Sequence, residues 1–200
     1  MRLTKDQAQE NRQRILAEAG RLFRECGFDG IGVDELMHAA GFTRGGFYNH
    51  FASKNDLMAE VTTQVLETAA TNLDRRMERA EGATRDAFAA YIANYLSVPV
   101  RDDPGRSCPI SSLGVDVIRQ DAPVRKAFAE GLKTYLASLA RAMPTGSGRQ
   151  RKPVTRNDAI ALLASLVGAM VMARCVAGVD EEFSLEVLAA VRKHLLRAEG

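Results

Sequence analysis

Ile15, Leu16, Ala19, Leu22 and Phe23 recur at i, i+1, i+4, i+7 and i+8 with polar residues between them. That spacing draws one apolar stripe on a helix. Gly27 closes the stripe, as a glycine just past a helix end does. After the short loop "FDGIG", Val33, Leu36, Met37 and Ala40 repeat at i, i+3, i+4 and i+7 and predict a second, short helix. Gly32 is placed as its N-cap and Gly41 ends it. Thr43 is expected to cap a third helix over 44–50, with Phe47 and Phe51 four apart on its inner face. Ser53, with Asp56 three residues on, opens a long fourth helix that runs to about Ala80.

The remainder reads the same way. Gly82 breaks the fourth helix, and Thr84 is expected to cap the next, which carries Phe88, Ile92 and Leu96. "VPVRDDPGRSCP" has three prolines and a glycine and reads as a loop. Pro109 fits the first turn of a short helix, "ISSLGVDVIRQ", where a missing N–H costs nothing. Pro123 starts another helix ending near Met143. "PTGSGRQRKP", 144–153, reads as a mobile surface loop. Thr155 and Asp158 cap an apolar helix over 155–177, and Ser184 is expected to cap a last one with Leu185, Leu188, Val191 and Leu195 on one stripe. No strand pattern and no internal repeat appears, so the fold class is all-α.

Composition narrows this picture. A chain of 200 residues, 46% hydrophobic and 26% charged, suits one or two packed units with a real core. The net charge is only +2, and the first sixty residues hold eight Lys/Arg against nine Asp/Glu. Any contact with nucleic acid must therefore rest on local geometry rather than bulk charge. Cys26, Cys108 and Cys175 are odd in number and form no CxxC, so neither a disulfide framework nor a zinc site is expected and a reducing cytoplasm fits. The polar start "RLTKDQAQENRQR" has no apolar stretch of the kind a signal peptide needs. The longest uncharged apolar run, Ala159–Ala173, has 15 residues and stops at Arg174, short of the ~20 a membrane span needs. A buried helix is the expected reading. His38, His50 and His194 form no HExxH, and no phosphate loop, nucleophile elbow or dinucleotide fingerprint is present. The sequence thus offers no catalytic residue, cofactor or metal, and an enzyme is not expected.

The second and third helices, joined by "AGFT", make a helix-turn-helix. In that motif the second helix lies in the DNA major groove with its N-terminal residues at the base edges. This explains why Gly45 and Gly46 stand in its first turn: they leave the tip bare, so the backbone can approach phosphates or bases closely. Each Gly costs about 0.8–1 kcal/mol against Ala in a helix interior, less near an end. Packing of Phe47 and Phe51 is expected to offset that. Arg44 is suited to a bidentate guanine contact or a phosphate clamp. Thr43, Tyr48, Asn49 and His50 are candidates for phosphate or base contacts. Lys54, in the first turn of the fourth helix, adds charge where backbone N–H groups favour an anion. Arg12, Arg14, Arg2 and Lys5 are further candidates for the flanking backbone, or else a solvated face. The alternative to a DNA-binding regulator is a helical protein-interaction adaptor that does not bind DNA.

"GFDGIGVDELMHAAGFTRGGFYNHFASKNDL" resembles the DNA-binding domain of the TetR/AcrR transcriptional regulators. Ala40, Gly41, Phe42, Thr43, Gly45, Tyr48, His50, Phe51, Lys54 and Leu57 stand in that family's register. Gly32 departs from it, standing where the family often has Ser or Thr. The resemblance implies a three-helix DNA-binding domain, 1–52, and a helical ligand-binding and dimerisation domain, 53–200. It also implies a homodimer built on the last two helices, double-stranded DNA with an inverted-repeat operator as partner, and release by a small-molecule inducer. The small residues of helix 155–177 agree, because they let another helix approach closely.

Ligand identity is not readable. Tyr91, Tyr95, Asp116, Arg119, Tyr135 and Arg174 are polar residues among apolar helices and are candidates to line a pocket. Cys108 sits beside the start of the helix at Pro109, with Arg106 nearby, and both features are expected to lower its thiol pKa. Some members of the resembled family sense electrophiles or oxidants through a cysteine in this region, so Cys108 is a candidate sensor. Cys26 and Cys175 are expected in the core.

Overall fold

A computed structural model describes residues 4–80, 83–144 and 153–198, and among these residues every regular element is helical. The loop expected at 144–153 lies almost wholly outside them. α1 (Lys5–Cys26) starts at a full capping box between Thr4 and Gln7 and ends at Gly27, with φ +77°. α2 (Val33–Ala39) follows, then a 3-10 helix (Arg44–Asn49) and α3 (Lys54–Glu78). α4 (Thr84–Tyr95), α5 (Val98–Asp102) and α6 (Pro109–Val117) form the middle of the chain. α7 (Ala122–Ala142), α8 (Arg156–Val176) and α9 (Glu181–Ala198) complete it.

The apolar stripes read from the sequence are the inner faces. Ile15, Leu16, Ala19 and Phe23 of α1 meet Leu36, Met37, Phe47, Phe51 and Leu57 in one buried cluster. α6 and α7 also reach this cluster, through Leu113, Val117 and Val124. A second cluster is built from α3 beyond Leu66, α4, α7, α8 and Leu188 of α9. The two clusters adjoin along α3, between Val61 and Leu66. α3 packs chiefly on α7, and Gly131 permits the close approach: a Cβ there would lie 2.6 Å from the Leu66 side chain.

Several local expectations are corrected. "VPVRDDPGRSCP" is not all loop, because Pro99 sits in the first turn of α5, where its missing N–H is harmless. Ala83, not Thr84, is the N-cap of α4. Ser184 does not cap α9, which begins three residues earlier, at Glu181. The Asp180 carboxylate accepts the Phe183 N–H instead. Ser184 is fully buried, donates to the Ala173 carbonyl at 2.9 Å and accepts from Arg101 at 2.7 Å. Arg101 itself is buried and also pairs with Glu181 and Asp102, tying α5 to the start of α9. Cys26 and Cys175 are exposed, not core. Each lies on the outer face of a helix whose inner face is already filled.

α8 is long and apolar enough to pass as a membrane span by composition, with a mean hydropathy of 2.1. One of its faces packs into the second cluster through Leu162, Leu163, Leu166, Met170 and Ala173. The other face carries Ala161, Ala164, Ser165, Met172 and Cys175 at the surface, and a Cβ on Gly168 would meet nothing within 4 Å.

Candidate functional site

The turn between α2 and the 3-10 helix sets the tip. Gly41 has φ +84°, a conformation that a side chain disfavours. It lets the Gly41 N–H reach the His38 carbonyl at 3.0 Å and the Phe42 N–H reach Met37 at 2.8 Å. Gly32 at the start of α2 offers no side-chain cap, but the Glu35 carboxylate accepts its N–H at 3.0 Å. The next element is a tight 3-10 turn, not the regular helix the spacing suggested. It shows i to i+3 bonds from Gly46 to Thr43 and from His50 to Phe47. Two adjacent glycines lower helix propensity, and six residues are too few to recover it through α-helical bonds. Thr43 occupies the N-cap, yet its hydroxyl makes no capping bond and is free at the surface.

Phe47 and Phe51 are buried, with ring centroids 5.5 Å apart, and they anchor the turn. Thr43, Arg44, Gly45, Tyr48 and Asn49 are exposed, and His50 is half-buried. A Cβ on Gly45 would meet nothing within 4 Å, so its backbone is open to an approaching partner. Tyr48 is 65% exposed and stands edge-on to Phe47. Arg44 reaches Asp34 at 2.9 Å, but both side chains are largely exposed, so the pair is weak and exchangeable.

Two basic positions behave otherwise. Lys54 is half-buried and donates to the Phe28 and Ile31 carbonyls at 2.6 and 2.8 Å. Its ammonium closes the α1–α2 loop instead of standing free beside a helix N-terminus. Arg12 pairs with Glu60 and lies over the Phe51 ring, while Arg14 donates to the Ala40 carbonyl and lies over Phe42. Both brace the domain.

The body of the molecule holds a cavity of about 330 Å³ between α3, α4, α7 and the segment before α6. Its lining includes Tyr91, Tyr95, Tyr135 and Cys108, all four of them candidates from the sequence, the tyrosines for a pocket and the cysteine as a sensor. Asp116, Arg119 and Arg174 are not among its lining residues. Asp116 pairs with Arg119 and packs on Gly27 at the end of α1, where a Cβ would strike its carboxylate. Arg174 is a strut: it donates to the Val100 carbonyl at 2.9 Å, the Arg101 carbonyl at 3.0 Å and Ser107 Oγ at 2.7 Å. Among the described residues it has no carboxylate partner, and burial lowers its pKa. Sequence reasoning missed Arg24 and Arg76, which also line the cavity together with Arg106, the residue it had placed near Cys108. They come from three separate segments, and no spacing rule links them.

Cys108 is the N-cap of α6, as expected, but its pKa moves up, not down. Burial is the largest cause. The Tyr95 hydroxyl, the N–H groups of Ser111 and Ile110 and the Arg174 charge pull it down without overcoming that. Arg106 lies at the cavity rim with its side chain 83% exposed, so solvent screens its charge from the thiol. Tyr91 and Tyr135 share a hydrogen bond of 2.7 Å between their hydroxyls, and burial raises both their pKa values, so both stay protonated at neutral pH.

α1 links the two regions. Arg24, in its last turn, donates from Nε to the Gly105 carbonyl at 2.7 Å, and the Glu25 side chain fills the space a Cβ on Gly105 would need. The cavity wall at 105–108 therefore rests on the helix whose other turns form the core of the N-terminal unit.

An exposed, anchored turn after a short helix, mounted on an all-helical body with its own cavity, defines a helix-turn-helix DNA-binding protein with a second, ligand-sized site. Comparison with known proteins agrees. The family described as bacterial regulatory proteins, tetR family, matches residues 15–61. The HTH-type transcriptional repressor NemR of Escherichia coli K12 is 25% identical over 144 residues, 72% of each chain. The HTH-type transcriptional regulator AcrR of Shigella flexneri is 48% identical over 60 residues, 30% of this chain and 28% of AcrR. The crystal structure of reduced E. coli NemR overlays with a TM-score of 0.75 at 24% identity, covering 94% of this chain and 96% of that one. A TetR-family regulator from Agrobacterium tumefaciens overlays at 0.74 with 18% identity, covering 96% and 98%. At such identities the overlays establish the fold, with its N-terminal helix-turn-helix and helical C-terminal part. Residues 15–61 thus match the tetR-family model, and together the comparisons support a TetR/AcrR-family transcriptional regulator. Members of that family bind operator DNA and small-molecule ligands and act as dimers, and they are not enzymes.

Proposed function

We propose that this protein is a cytoplasmic repressor that binds an inverted-repeat operator as a homodimer and leaves it when the cavity fills. The observation that carries this reading is the bare tip at Gly45, anchored from behind by Phe47 and Phe51. Thr43, Arg44, Gly45, Gly46, Tyr48, Asn49 and His50 are the proposed DNA-facing residues. Arg44 is assigned base or phosphate contact, and exchanges Asp34 for the duplex. Residues 1–52 form the DNA-binding domain in this reading, with the remainder for ligand binding and dimerisation. The open face of α8 at Ala161, Ala164, Gly168 and Met172, together with the exposed Phe183 and Leu185 of α9, is the proposed dimer surface. Small side chains let the partner's helix come close, and a two-fold dimer then presents two tips to two half-sites.

Release follows if the ligand prefers the state that does not fit DNA. The Arg24–Gly105 bond is the proposed link, because anything that moves segment 105–108 moves the end of α1. The named repressor NemR among the relatives supports repression over activation. An electrophile entering the cavity would meet Cys108, and that branch is abandoned if Cys108→Ser leaves induction intact. Selection of bound DNA from a random pool, followed by binding at graded salt, tests the main reading. A palindromic consensus with affinity falling steeply as salt rises is expected. Failure to enrich any sequence at low salt would falsify it.

A further inference from the structure

Among the described residues the cavity has an electrostatic bias: no Asp or Glu lines it, whereas Arg24, Arg76 and Arg106 do. Arg24 is half-buried and its hydrogen bonds go to the Gly105 carbonyl; among the described residues no carboxylate pairs with it directly, though Asp103 and Glu25 act on its charge from further off. Arg76 lies at the mouth, likewise with no carboxylate partner among the described residues. Arg106 has only a long pairing with Asp103, at 3.9 Å. Buried charge without a partner is costly, and an anion supplied from outside removes that cost.

The floor points the same way. The Tyr95 hydroxyl is buried among the cavity-lining residues and makes no hydrogen bond of good geometry among the described residues. Its polar neighbours are the Cys108 thiol and Ser111. In the Tyr91–Tyr135 pair one hydroxyl donates to the other, so the accepting hydroxyl keeps its own hydrogen for a further acceptor. Protonated phenols are donors here, and these spare donors lie among the residues lining a space with no acidic group. Three aromatic rings, Tyr91, Tyr95 and Tyr135, line it beside aliphatic side chains and the neutral amides of Asn72 and Asn94, with Tyr91 and Tyr95 at 6.1 Å and edge-on to each other. At about 330 Å³ the space is near the small end of ligand sites, ~300–1,000 Å³.

We propose that this cavity binds a small aromatic carboxylate, its ring against Tyr91 and Tyr95, its anionic oxygens toward Arg24 and Arg76, and an oxygen of the ligand accepting the Tyr95 O–H. This assignment rests on the reading of the cavity as the effector site. It also gives the ligand a handle on DNA binding, since an anion near Arg24 competes with the Gly105 carbonyl for the same guanidinium.

The test uses the full-length protein and titration calorimetry with benzoate, 4-hydroxybenzoate and cinnamate, each beside its primary amide, and with benzylamine as the cationic arm. At least one carboxylate is expected to bind ten times or more tightly than its amide, with no binding of the amine. Tyr95→Phe, which keeps the ring, and Arg76→Gln, which is at the surface and should not disturb folding, are each expected to weaken that carboxylate about tenfold. Equal or tighter binding of amide or amine overturns the assignment, as does failure of all three carboxylates, or binding indifferent to both variants. Operator binding by the same preparation is read separately. If DNA is bound and no carboxylate is, the ligand class alone is wrong. If a carboxylate is bound through Tyr95 and Arg76 but no DNA is, the regulator reading is wrong and the site stands.

Discussion

The tip and the cavity treat polar side chains in opposite ways. At the tip, Arg44, Tyr48 and Asn49 stand in solvent, and the apolar residues behind them, braced by Arg12, Arg14 and Lys54, do the holding. In the body, Arg101, Arg174, Tyr91 and Tyr135 are drawn inward and bonded to carbonyls, hydroxyls or one another. An exposed polar group can be traded for a DNA contact at little cost to folding. A buried one cannot be removed without leaving its partners unsatisfied. The contrast teaches that substitutions in the first region should change binding, and those in the second should change stability and ligand response together.

The sharpest break of that pattern is Phe47→Ala. It removes the anchor rather than a contact, and should destabilise the N-terminal unit by about 3–5 kcal/mol and abolish operator binding, read by urea unfolding and fluorescence anisotropy. Arg174→Met is next. Two carbonyls and several serine hydroxyls lose their donor, and a loss of about 2–3 kcal/mol in unfolding free energy is expected with no change in the exposed tip. Arg44→Ala should do the reverse: operator affinity falls by about 1–3 kcal/mol while stability stays within about 0.5 kcal/mol of the parent. Lys54→Met separates brace from contact. A brace predicts a stability loss of about 1 kcal/mol and an unchanged salt slope, whereas a phosphate contact lowers the slope by about one. The smallest effect is kinetic. With a limiting thiol reagent at neutral pH, exposed Cys26 should be modified before Cys108, whose raised pKa keeps it as the thiol. Cys108 modification should then accelerate as pH rises through and beyond the ordinary thiol range. Cys175, on the open face of α8, should be modified fast in a monomer and slowly if that face is covered by a second copy.

How much of this was legible beforehand differed between the two regions. The tip is local: eleven residues from Ala40 to His50 contain the turn, the glycines, the anchor and the exposed donors, so a linear reading reached them. Even there the sequence could not choose a 3-10 turn over a regular helix, since that depends on how Phe47 and Phe51 seat against α1. Nor could it see that Lys54 reaches back to Phe28 and Ile31. The cavity is not local. Tyr91, Tyr95 and Cys108 were reasonable candidates, but Asp116 and Arg174 were equally so, and only packing sent the first to Gly27 and the second to Val100 and Ser107.

The amino-acid sequence by itself determined the all-helical class, the helix ends at Gly27 and Gly41, the apolar stripes and the bare tip, because periodicity and backbone preference act within a few residues of one another. The tertiary structure alone decided which arginines are struts and which line a cavity, that the Cys108 thiol is harder to ionise than its helix start implied, and that Cys26 and Cys175 face outward. Those outcomes depend on burial and on partners tens of residues away in the chain, and neither is written in local spacing.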